Sequence, residues 1–149
     1  MAAGRTYTPI ARQTLTTSQA QITLSSIPQI YTDLILVITG SVASSVQNIN
    51  MRLNSDTGTN YSRTFISASA AQGASSSRES SYSYITLDRY GYPGTYQSPA
   101  TYVVHFNNYS NTTTYKTVLS RSNNANYGTG AVVGLWRSTA AISTIYCYL

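Results

Sequence analysis

The chain has 149 residues, 9% of them charged and 42% hydrophobic, with 14 Tyr and a formal charge of +5. That length fits one domain with a real core, and the composition excludes a disordered chain, which pairs low hydrophobicity with high net charge. The charge comes from eight Arg and one Lys scattered without a basic run, so nucleic acid is not an expected partner.

With so few charges to keep surfaces apart, part of the surface is expected to be covered by a partner. The opening "MAAGRTYTPI" lacks the apolar run of a signal peptide. No stretch approaches the ~18–20 consecutive apolar residues of a membrane span. The expectation is a chain made in a cytoplasm that stays soluble until it assembles.

Residues 1–13, with Pro9 and two Arg, read as an N-terminal arm able to reach a neighbour, and residues 14–149 as one β-sandwich domain. "ARQTLTTSQAQITLSSIP" carries Leu15, Ile22 and Leu24 among many Thr until Pro28. "YTDLILVITG" is aliphatic on both faces from Leu34 to Ile38, which predicts a strand buried on both sides. In "VQNINMRLN", Ile49, Met51 and Leu53 alternate with Asn48, Asn50 and Arg52. "YSRTFISA" places Tyr61 and Phe65 on one face. "SASAAQGASSSRESS" is so rich in Ser that it reads as a long loop.

Later strands are expected in "SYITLDRY", "TYVVHFNNY", "TTYKTVLSRS", "GAVVGLWRS" and "AISTIYCYL". In the second of these, Tyr102, Val104 and Phe106 alternate with Val103 and His105. Turn residues separate the runs at regular spacing, and no helical period extends over ten residues. The fold class is all-β, an antiparallel sandwich or barrel.

"RLNSDTGTNYSRT", residues 52–64, is the stretch most like a binding loop. Counted as an EF-hand, Asn54, Asp56, Gly58 and Asn60 fall at ligand positions, but position twelve is Phe65 where a bidentate Glu belongs. Asp, Gly and Asn between two alternating strands are instead the signature of a hairpin turn. The segment reads as a structural turn and no metal is expected there.

Catalytic chemistry is sparse. The acids are Asp33, Asp56, Glu79 and Asp88, with one His and one Cys. His105 sits mid-strand, away from any Gly-flanked Ser nucleophile, and no acid pair suggests a glycosidase. "GTGAVVG", residues 128–134, precedes a strand and lacks the Lys-Ser/Thr of a phosphate loop. Cys147, without a partner for a disulfide, reads as a buried strand thiol. Neither an enzyme nor a cofactor is expected.

The stretch with the best claim to bind something is "SYSYITLDRYGYPGTY", residues 81–96. It interleaves Tyr82, Tyr84, Tyr90, Tyr92 and Tyr96 with Ser, Gly, Arg89 and Pro93. Tyr offers wide amphipathic contact with few torsions to freeze. Packing between sheets, a protein interface and glycan contact all remain open for these rings.

Five segments, "YTPIARQTL", "ITLSSIPQIYTDLILVI", "RLNSDTGTNYSRT", "YKTVLSRSN" and "GLWRSTAAISTI", in that order resemble a family of tailed-bacteriophage virion proteins. The similarity covers most of the chain except the Ser-rich and Tyr-rich middle. It implies a jelly-roll or sandwich fold, no catalytic residues and a virion building block, often a trimer. The Asn54–Asn60 turn, Trp136–Arg137–Ser138 and Tyr115–Lys116–Thr117 would be framework.

Family members continue beyond "AISTI" into a further turn and strand, whereas this chain stops at Leu149. Ile145, Tyr146, Cys147, Tyr148 and Leu149 are therefore expected to form an edge strand covered by another subunit. The resulting expectation is a small decoration or cement protein, or a short head or neck fibre, that self-associates and docks on the major capsid protein or other virion proteins. A tail-fibre module recognising host surface glycans is the rival.

Overall fold

A computed structural model describes residues 7–42, 47–71, 73–89 and 98–149. Among them are ten strands and no helix. They are β1 (Gln21–Leu24), β2 (Leu34–Gly40), β3 (Asn50–Leu53), β4 (Tyr61–Ser69) and β5 (Gly73–Tyr82), followed by β6 (Ile85–Thr86), β7 (Ala100–Phe106), β8 (Lys116–Asn124), β9 (Gly128–Trp136) and β10 (Ile145–Tyr148). All ladders are antiparallel. One sheet runs β1-β10-β3-β6 and the other β2-β7-β8-β9-β4-β5. The two pack face to face as a β-sandwich.

The chain alternates between sheets from β1 to β4, and β10 inserts between β1 and β3. This is the strand order of an eight-stranded jelly roll in which one position is expanded into the β7-β8-β9 meander.

The alternating runs become strands because one face of each is buried. Met51 and Leu53 of β3, Tyr61 and Phe65 of β4, and Tyr102, Val104 and Phe106 of β7 all enter the core. The approach between sheets is close at β9. A Cβ on Gly134 would lie 2.7 Å from Ile85 Cδ1 and 3.0 Å from its Cγ2, so a side chain there would collide with β6.

Four expectations require correction. The Ser-rich stretch is not a long loop: it completes β4, turns, and returns as β5, paired from Ser69↔Gly73 to Tyr61↔Tyr82. Gly73 takes the left-handed backbone (φ 66°), and Ser81 (φ 61°) is the extra residue where the register shifts. As the sheet's edge, β5 has little to bury, which removes the apolar alternation that marks other strands.

β2 is likewise an edge rather than a strand buried on both sides, and Val37 is 60% exposed. In the first run only Gln21–Leu24 is strand; residues 7–20 carry no ladder.

The C-terminal strand is not an edge. Ile145–Tyr148 pairs with β1 on one side and β3 on the other, while Ile145 and Cys147 are buried. Leu149 continues the link, its N–H donating to Ala20 O at 3.1 Å. The bare edge that called for a covering subunit does not exist.

β8 inverts the usual pattern. Its inward residues include Lys116, Ser120, Ser122 and Asn124, all buried. Lys116 Nζ donates to Thr114 O (2.8 Å) and Thr139 O (3.1 Å), Ser120 Oγ donates to Leu87 O (2.9 Å), and Ser122 Oγ donates to the Asp88 carboxylate at 2.5 Å. Asn124 Oδ1 accepts from Ser98 Oγ (2.7 Å), so each of these four β8 side chains has a partner. The apolar Leu119 points outwards instead.

Candidate functional site

The outer face of the four-stranded sheet carries a belt of Tyr and Arg. Because Ile145, Cys147, Met51 and Ile85 point inwards, Tyr146, Tyr148, Arg52 and Tyr84 must point outwards. The register sets Tyr146 opposite Arg52. Extending the β3–β6 ladder by one residue brings Tyr84 beside them, and Arg52 Nε donates to Ser83 O at 3.0 Å.

The belt is continuous. Tyr146 donates its hydroxyl to Gln21 and lies 5.2 Å, centroid to centroid, from Tyr148. The Arg52 guanidinium sits 4.8 Å from the Tyr148 centroid, and Tyr84 meets Tyr148 edge-on at 6.2 Å. Tyr82 meets Tyr84 edge-on at 5.7 Å, and Arg63 lies 4.9 Å from the Tyr82 centroid. These are distances at which rings and guanidinium groups attract one another. Burial raises the Tyr148 phenol above its ordinary range, against the pull of Arg52.

Beyond Tyr82 the belt becomes ionic. Arg63 Nε donates to Glu79 Oε2 at 2.6 Å, and Arg89 Nη1 donates to Oε1 at 3.2 Å. Arg63 also donates to Thr86, whose Oγ1 donates to Asn50 Oδ1 at 2.8 Å. Arg89 covers the Phe65 ring at 4.7 Å. Beside these groups is a pocket of ≈ 340 Å³ lined by Asn48, Glu79, Thr86, Asp88 and both Arg. The buried Asn48 Oδ1 on its wall has no hydrogen-bond partner.

The structure therefore unites Tyr82, Tyr84 and Arg89 with Tyr146 and Tyr148, which the sequence had placed in two separate features. Tyr90, Tyr92 and Tyr96 lie outside the described residues. Arg52, Arg63 and Glu79 escaped notice because their role follows from cross-strand register. The alternation of Arg52 with Met51 and Leu53 was the available signal.

Residues 54–60 form a turn but not the expected hairpin: β3 and β4 lie in different sheets, and the segment crosses between them and ties two connections together. Asn54 (φ 50°) and Ser55 (φ 57°) adopt left-handed backbone. The Asn54 side chain accepts from the amides of Ser143 (2.8 Å) and Thr144 (3.1 Å) and donates to Ala141 O (2.7 Å). Asp56 accepts from Trp136 Nε1 (2.7 Å), Asn60 Nδ2 (2.9 Å) and the Gly58 amide (2.8 Å). Burial raises the Asp56 carboxyl, but these donors outweigh it and hold the group below its ordinary value. With its oxygens directed to N–H donors, Asp56 serves the fold. Among the described residues no three His, Cys, Asp or Glu converge on a metal position.

His105 stands mid-strand on the outer face, opposite Ile35 and Leu119. Cys147 is buried, and burial pushes its thiol up to about 12. The belt can stack, donate and accept; it brings no nucleophile to a base. Compared with protein-family models, curated proteins and solved structures, the chain finds no match.

Proposed function

We propose that this chain is a non-enzymatic phage virion structural protein, a small decoration or cement protein or short head or neck fibre that docks on other virion proteins. What carries the reading is the outer face of the six-stranded sheet. Register aligns Ile35, His105, Leu119, Val133, Thr64 and Arg78 in one row, and Val37, Val103, Arg121, Ala131, Ile66 and Ser76 in the next. Val37, Ile66 and Val133 are 60%, 63% and 54% exposed. A contiguous apolar field of this kind is characteristic of a protein-docking surface.

Its charges favour a different protein over a second copy for this face. Arg78 is exposed at the end of one row, on β5, and Arg121 is exposed inside the other, on β8. The chain has few carboxylates to meet them: Asp33 accepts from the Asn108 amide (2.7 Å), Asp56 serves the turn, Asp88 is buried, and Glu79 holds Arg63 and Arg89. A shell presenting carboxylates around apolar residues is the complementary partner.

The test is add-back of purified protein to virions that lack it. Wild-type chain should rebind and Val133→Glu with Ile66→Glu should not, while keeping its melting temperature. Equal binding by both chains would overturn the reading. Antibody labelling seen by electron microscopy should fall on the head or neck.

A second reading is favoured by the Tyr–Arg belt, whose ring faces and polar rim suit a host glycan. Sugar binding lost in Tyr84→Ala and Tyr148→Ala, with label on the tail tip, would replace docking as the function.

A further inference from the structure

One side of the sandwich is left open. β2 ends the six-stranded sheet and β1 ends the four-stranded one. Natural edges are blunted by charge, Pro, a bulge or a cover, but "LILVITG" contains no charge and no Pro. Between the edges lies a cleft of ≈ 1160 Å³, into which Leu36 and Ile38 of β2 and Ile22 and Leu24 of β1 remain partly exposed. Among the described residues that line it, Arg12 has the only charged side chain. The occupant that fits is an extended, nearly uncharged, apolar strand.

The chain carries such a segment. Residues 7–19 are exposed throughout and make no ladder, with Tyr7 67% and Leu15 43% exposed. Residues 11–20 line a wall of the cleft, anchored where Ala20 O accepts from Leu149 N. A chain's own arm thus bounds the cleft, and among the described residues none pairs with the outer edge of β2. Residues 7–15, extended, would span ~30 Å, more than the ~24 Å of a seven-residue strand such as β2.

We propose that residues 7–15 of one copy add as a strand to the free edge of β2 in a second copy. Main-chain hydrogen bonds would supply the affinity, as in other strand-addition contacts. Tyr7, Ala11 and Leu15, which share one face of the extended arm, would cover the cleft, and reciprocal exchange closes the assembly. This contact uses the edge of β2, where Val37 borders both the cleft and the apolar outer face, and does not depend on what that face binds.

The test uses the full chain. Sedimentation should give a multiple of the 16.2 kDa chain mass, and Tyr7→Asp with Leu15→Asp should reduce it to one chain. Both positions are exposed, so the variant should stay folded and lose only the concentration-dependent part of the wild type's melting temperature. In a mixture of Thr14→Cys chains with Thr39→Cys chains, mild oxidation should form a disulfide joining the two kinds; the buried Cys147 does not compete. A monomeric wild type, an association untouched by the two Asp residues, or no mixed disulfide would each overturn the proposal.

Discussion

Replacing Asp56 by Ala removes the acceptor of three donors: Trp136 Nε1, Asn60 Nδ2 and the Gly58 amide. The latter two bonds are exposed and water can replace them. Trp136 is 2% exposed, and its N–H would lose a charged acceptor, worth roughly 1.5–3 kcal/mol. Discounting for the partly exposed carboxylate, the expected cost is about 2 kcal/mol. For a chain of this size that lowers the melting temperature by roughly 4–8 °C. Asp56→Asn keeps an acceptor oxygen without the charge and should cost less. Urea unfolding followed by the fluorescence of the single Trp measures both variants.

The pH dependence has a definite sign. Because the folded carboxyl sits below its ordinary value, its contribution is present above an unfolded pKa of about 3.9 and disappears as pH falls through the folded value. Wild type and Asp56→Asn should therefore converge in stability below about pH 4. A cost under about 0.5 kcal/mol for Asp56→Ala, or a melting temperature that rises with added Ca²⁺ in wild type alone, would refute this account.

Gly134→Ala should cost about 1–3 kcal/mol through collision with Ile85. Combined with Ile85→Val it should cost less than the sum of the single changes, as neighbours couple. Cys147 should resist thiol reagents in the native state and react only on unfolding in urea, since it is 3% exposed with a thiol pushed up to about 12. Burial likewise pushes the Tyr61 phenol up to about 12. Its contribution is complete below the ordinary value of about 10 and is lost as pH rises through the folded one. Phenolate absorbance should therefore show a late-titrating Tyr whose ionisation accompanies unfolding.

Local pattern revealed whatever depends on one buried face. Met51 with Leu53, and Tyr102 with Val104 and Phe106, announced their strands because each packs on the core. A turn at Asn54–Asn60 was legible from its Asn, Asp and Gly, but not that it crosses between the sheets instead of closing a hairpin. Pattern failed where the two faces of a strand have similar surroundings. The Ser residues of β5 gave no alternation, and the aliphatic run of β2 looked central when part of it forms an exposed face. Nor could local reading find the belt. Tyr84 and Tyr148 are 64 positions apart, and only the insertion of β10 between β1 and β3 makes them neighbours. The same insertion was hidden when the final strand was read as an edge.

The position of β10 also sets an order of assembly. The β7-β8-β9 meander closes short loops, whereas β10 must find β3 across about ninety residues and β1 across more than a hundred and twenty. Contacts so distant in sequence form slowly. β3 ends at Leu53 and β10 begins at Ile145, so during synthesis β1 and β3 wait without the strand that joins them. Their inward side chains, Ile22, Met51 and Leu53, stay open to wrong partners until the last strand arrives.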